Sequence, residues 1–146
     1  YKSVPGSLNT NSMTLYSGPE LQSRKPFLIR CAPYFNWYES WYLSGVMYFG
    51  DFEALGAQKW KHFIGFYKGY WDLVGTVQIP HHGSRYNYNP EINRRHSKIS
   101  VISAGYSNRH NHPHTSTVRS ILNDGGFPVM VTENAGSRLV CEVIGV

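Results

Sequence analysis

The stretch Leu73-Val74-Gly75-Thr76-Val77-Gln78-Ile79-Pro80-His81-His82-Gly83-Ser84 runs from a buried-strand pattern straight into a polar, glycine-containing turn. An apolar run of this length, rich in β-branched residues, predicts a strand covered on both faces. Upstream, Ser44 to Phe49 (SGVMYF) repeats the pattern and ends at Gly50-Asp51-Phe52-Glu53. Downstream, Ile99 to Ser103 (ISVIS) repeats it again and opens into Ala104-Gly105 and a polar segment ending at His114. Three strands ending in polar clusters suit a layered α/β domain, in which ligands gather above the carboxyl ends of the strands.

Between and around these strands the periodicity changes. Phe52, Leu55, Phe63, Ile64 and Tyr67 recur at helical spacing, predicting an amphipathic helix over 52–67. A short helix is expected after Pro90. Residues 115–123 follow Pro113, place Val118, Ile121 and Leu122 on one face, and stop at Gly125-Gly126, so both ends of a helix are marked. Ser12 to Ser17 reads as a strand stopped by Gly18-Pro19, and residues 1–11 as a loop. Residues 18–43 read as an irregular, aromatic-rich insertion. Phe127 to Thr132 and Arg138 to Ile144 read as a terminal hairpin about 133–136. The whole of 1–146 is read as a single domain.

The composition narrows the partners without naming one. The 146 residues carry 14 Lys and Arg against 9 Asp and Glu, a formal charge of +5. That suits an anionic partner such as nucleic acid, and equally an ordinary solvated basic face. Aromatics form 15% of the chain and gather between Tyr34 and Trp71, where a core or a partner interface is the favoured reading over a base-stacking platform. Cys31 and Cys141 stand 110 positions apart, with no zinc-finger or disulfide-scaffold spacing. They point to a reduced, cytoplasmic compartment, with both acting as small buried hydrophobes. No run is long enough for a membrane helix and no basic-then-apolar signal opens the chain. The expected product is soluble, as a whole protein or as a segment of a larger one.

Taken together, GDFE (50–53), PHHGS (80–84) and SAGYSNRHNHPH (103–114), in this order and followed by a helix, resemble the C-terminal half of the metallo-β-lactamase domains of the ComEC type. The resemblance covers roughly residues 44–146, with weaker support over 9–17. It implies an α/β fold forming one half of an αββα sandwich, and a metal-dependent hydrolase directed at phosphodiesters of nucleic acid more than at β-lactams. In its terms Asp51 resembles the carboxylate bridging two metal ions, zinc or manganese, and His81 the last histidine ligand. His82 is then an orienting or substrate-facing residue. Asn108 and His112 fall where the family lines its cleft, for a phosphate contact or proton transfer. His82 or His112 would serve the leaving group, with Ser84 and His114 toward the ligand loop or substrate. The metals would bring the pKa of a bridging water near neutrality.

The chain also departs from that pattern. The superfamily's principal ligand motif, His-x-His-x-Asp-His, is absent from these 146 residues; in the family it belongs to the upstream half. Asp51 and His81 alone fall below the three protein ligands usual for catalytic zinc. A companion chain or separate N-terminal half is therefore expected to supply the rest. The alternative is a non-catalytic half-domain or degenerate fold that binds protein or nucleic acid. The single residues have ordinary readings too: Asp51 as a helix cap, His81 and His82 as a hydrogen-bonded pair in a tight turn, His112 and His114 as polar loop residues. Glu53 reads as a first-turn acid complementing the helix dipole. His62, His96 and His110 match no motif and read as solvated.

Overall fold

The computed structural model describes residues 12–21, 27–32, 35–39, 44–94 and 98–145. The protein is a mixed α/β fold. Its main sheet has five strands: β1 (Leu15–Ser17), β4 (Gly45–Tyr48), β5 (Val74–Gln78), β6 (Ile99–Ser103) and β7 (Phe127–Val131), in that spatial order. β4 through β7 run parallel, and β1 closes one edge antiparallel to β4. A smaller antiparallel sheet holds β2 (Phe27–Ala32) between β3 (Phe35–Glu39) and β8 (Val140–Gly145).

Helices α1 (Ala57–Phe66), α2 (Glu91–Arg94) and α3 (Thr115–Asn123) fall in the connections between the parallel strands. Such connections must carry the chain back along the sheet before the next strand begins. The core lies where α1 covers the sheet. Met47, Phe49, Val74, Val77, Ile79 and Ile102 are buried with Phe63 and Trp71. Phe63 sits at the hub, with ring centroids 5.0 Å from Phe49, 5.1 Å from Trp60 and 5.3 Å from Trp71. The aromatics of 60–71 that pack here are therefore core material rather than a surface platform. Lys98 is buried as well, its ammonium 4.9 Å from the Trp71 ring centre, where the electron-rich face offsets part of its desolvation.

The turn-rich stretch between β5 and β6 is a polar brace. Asn93, buried, donates to the Tyr88 hydroxyl and accepts from Ser100 Oγ. Asn89 donates to the Ala54 carbonyl, and the Asn87 carbonyl accepts from the Leu55 N–H. These bonds lock the loop after β4 against the loop after β5. They also explain why α1 begins at Ala57 and not at Phe52: residues 51–55 spend their backbone groups on turns and on Asn87 and Asn89. Gly56, rather than Asp51, is the helix cap. Glu53 lies outside the first turn of α1 and pairs with Lys59.

Two strand expectations also differ from the structure. Residues 18–43 are not irregular throughout, since they contain β2 and β3, and β2 pairs with β8 more than 100 residues away. The last two strands do not form a hairpin with each other. β7 lies beside β6, while β8 takes its partner from the smaller sheet. Between them the chain turns on side chains: the Thr132 N–H donates to Ser137 Oγ, Asn134 N–H to Thr132 Oγ1, and Gly136 N–H to Asn134 Oδ1. These side-chain bonds stand where a hairpin would place ladder bonds. β7 itself contains Pro128 and forms an edge of the main sheet.

Replacing Phe63 by Ala should lower unfolding free energy by about 3–5 kcal/mol, as for other buried aromatics. Phe66→Ala, three positions along the same helix and 80% exposed, should change it by less than about 0.5 kcal/mol. Urea denaturation of both variants checks this; comparable losses would place the hub elsewhere.

Candidate active site

Parallel strands deliver their carboxyl ends to one edge of a sheet, so the loops after β4, β5 and β6 meet there. Backbone hydrogen bonds stitch them together. The His81 N–H donates to the Gly50 carbonyl at 2.8 Å, joining the second loop to the first. The His114 N–H donates to the Gly83 carbonyl at 3.1 Å, joining the third to the second. Asp51 follows Gly50 directly, and its carbonyl accepts from Asn87 Nδ2 at 3.4 Å.

The turn after β5 has an uncommon backbone. His81 (φ 45°, ψ 54°), His82 (φ 54°, ψ 23°) and Gly83 (φ 83°) are consecutive left-handed residues. For a residue with a Cβ this region is disfavoured by about 1–2 kcal/mol, and such strain concentrates where function demands a particular geometry. The surroundings enforce it. Besides the two cross-loop bonds, Ser84 N–H donates to the His81 carbonyl at 2.9 Å. Gly83 packs so closely on Pro113 that an added Cβ would lie 2.6 Å from the proline Cβ.

The result is a cluster of imidazoles centred on His112. Its ring lies 4.9 Å from that of His114, 5.5 Å from His81, 5.8 Å from His110 and 6.4 Å from His82. Partial burial lowers the His112 pKa below its ordinary value, and the neighbouring His114, His81, His110 and His82 lower it further. At pH 7 the ring is neutral, able to accept a proton. Two hydrogen bonds fix tautomers on either side. His82 Nδ1 donates to the Ser103 carbonyl at 2.6 Å, so in the neutral ring Nε2 is the acceptor. His114 Nδ1 accepts from the Arg85 N–H at 3.2 Å, so its neutral ring carries the proton on Nε2. Arg85 is exposed beside them, donating to the Tyr86 hydroxyl and lying over the Tyr86 ring.

The other sequence candidates fall as follows. Asn108 braces its own loop. Its Nδ2 donates to the Gly105 and His112 carbonyls at 3.0 and 2.7 Å, and its Oδ1 accepts from the His112 N–H at 2.8 Å. Both ends of the amide hold backbone, so it positions His112. Ser84 is buried, its Oγ accepting from the Tyr86 N–H at 3.3 Å. His62 is exposed on α1, and His96 lies outside the described residues. His110 is exposed, as expected from the sequence, and its ring also lies beside that of His112 at the open side of the cluster. No spacing rule announces this: the chain turns between the two rings, with Asn111 left-handed at φ 54°, and the turn rather than a strand alternation brings His110 to His112.

Asp51 and His81 are expected from the sequence as two metal ligands. Among the described residues no group of three or more His, Cys, Asp or Glu is arranged to hold a metal ion, so the residues present do not complete a site. No protein-family model, curated protein or solved structure matches the chain.

Two outcomes test this geometry. Gly83→Ala should lose at least about 2 kcal/mol of stability, since it combines left-handed strain with a backbone-proximal clash; a urea midpoint within error of the parent would show that the turn relaxes freely. For His112 the folded pKa is depressed, so the folded state binds fewer protons than the unfolded one. Its contribution is complete above the unfolded value of about 6.5 and is lost as pH falls through the folded value. The urea midpoint should therefore drop on acidification below about pH 6.5, and less steeply in His112→Gln. Parallel pH profiles would remove His112 as the cause.

Proposed function

We propose that this chain is the cleft-bearing C-terminal half of a metallo-β-lactamase-type αββα hydrolase, cleaving phosphodiester bonds in nucleic acid in the cytoplasm. The observation that carries the proposal is the junction of the Asp51 and His81 loops through the His81–Gly50 bond, beside a cluster of five imidazoles at the carboxyl edge of a parallel sheet. It is supported by the loss of the simplest rival for Asp51, because α1 is capped at Gly56. In this reading Asp51 and His81 contribute two ligands to a zinc or manganese pair, and a companion chain or N-terminal half bearing His-x-His-x-Asp-His contributes the others. His112, neutral at pH 7, exchanges the proton of the leaving oxygen. His82 offers its Nε2 lone pair and His114 its Nε2 proton to the same cleft. Arg85 supplies positive charge at the rim, as the net charge of +5 does over the whole chain. No helix among the described residues is long and apolar enough to cross a membrane.

A second reading is a non-catalytic half-domain that binds protein or nucleic acid. The incomplete donor set favours it. It requires binding that weakens steeply with salt and is indifferent to metal.

Metal analysis and cleavage of a labelled single-stranded DNA distinguish the two. The protein should be taken from its native source together with whatever remains associated with it. The hydrolase reading expects bound zinc or manganese that is lost in Asp51→Ala along with cleavage. In His112→Ala, metal content should persist while the rate falls about 10²- to 10⁴-fold, the usual size of a proton-transfer contribution. Unchanged metal and cleavage in Asp51→Ala would end the assignment.

A further inference from the structure

The smaller sheet brings the chain's two cysteines together. The antiparallel register of β2 and β8 runs from Phe27 opposite Gly145 to Ala32 opposite Val140, and it sets Cys31 directly opposite Cys141. Directly opposed residues of an antiparallel pair share one face of the sheet, with Cα atoms about 4.5–5.5 Å apart. A disulfide spans Cα separations of about 4.4–6.8 Å. A slip of one position would place the two cysteines on opposite faces, so this register is what qualifies them. No sequence spacing announces the pair, because 110 residues separate its members.

We propose that Cys31 and Cys141 form a reversible cross-strand disulfide, a redox-responsive staple between β2 and β8. The oxidant is a low-molecular-weight disulfide. One protein thiolate attacks it, forming a mixed disulfide and releasing one small thiol. The second protein thiolate attacks the protein sulfur of that mixed disulfide, closing the bond and releasing the second small thiol. Two protein thiols are oxidised, one reagent disulfide is reduced, and the two protons finish on the released thiols. The staple encloses Asp51, His81 and His112 in a covalent loop, so oxidation restricts the unfolded chain across the whole scaffold of the candidate site. The proposal stands independently of the hydrolase reading.

The test equilibrates the full chain with oxidised glutathione and reads intact mass, thiol alkylation and thermal unfolding. Expected are a monomer about 2 Da lighter than the reduced protein and no alkylation at either cysteine. The midpoint should rise by about 10 °C, by loop-closure entropy scaled to a chain of this size. Dithiothreitol should reverse all three, and the near-isosteric C31S and C141S variants should show none of them while unfolding, when reduced, near the parent temperature. If both variants fail to fold, peptide mapping of the oxidised parent decides: a Cys31–Cys141 linked peptide supports the staple. Glutathione adducts without ring closure, disulfide-linked dimers, or two thiols still open to alkylation would each overturn it.

Discussion

The candidate site depends on a three-residue left-handed turn, His81 to Gly83, held against its own backbone preference. Left to itself, a non-glycine residue moves out of that region, and two in succession double the incentive. The turn is held by three backbone bonds, from the His81 N–H to the Gly50 carbonyl, the Ser84 N–H to the His81 carbonyl and the His114 N–H to the Gly83 carbonyl, and Pro113 fills the space beside Gly83. One short segment thereby fixes the spacing of three loops. The imidazoles cluster because the backbone brings them together, not because they attract one another. For His112, at the centre, partial burial and the neighbouring rings favour the neutral form, which suits a proton carrier.

The core beneath that edge provides the rigidity. Phe49, directly after β4, packs against Phe63 and Trp71, one step before the turn that leads to Asp51. The asparagines between β5 and β6 add a polar layer in which buried amides bond both side chains and backbone. Such a layer is unforgiving: each amide that loses its partner leaves a buried polar group unsatisfied. The same layer explains a close contact at Gly126, where an added Cβ would lie 2.7 Å from Asn93 Oδ1.

Local signals in the sequence identified the parts whose causes are local. β6 and α3 have the expected bounds, because a β-branched run and a helix framed by Pro113 and Gly125-Gly126 announce themselves. What failed was long-range. β2 and β3 carry no clean alternation, and their strand character comes from pairing, including pairing with β8 at the far end of the chain. The terminal hairpin failed for the same reason, since neighbouring strands in sequence found partners in different sheets. At the site, residue type was legible and commitment was not. Asn108 reads as polar and available until its amide is seen bonded to backbone at both ends. Asp51 reads as a cap until α1 starts six residues later, capped by Gly56. His110 matches no motif and reaches His112 through a turn, with Asn111 left-handed between them, which no local spacing announces.

Pro128 has a consequence for how this molecule meets others. In β7 the N–H of Phe127 points inward to the Lys98 carbonyl, so the next residue presents its backbone outward, and that residue has no N–H to offer. A foreign strand aligning along the rim of the main sheet meets a missing rung at the second position. The β7 rim is thereby protected against strand addition, while the opposite edge among the described residues is the three-residue strand β1.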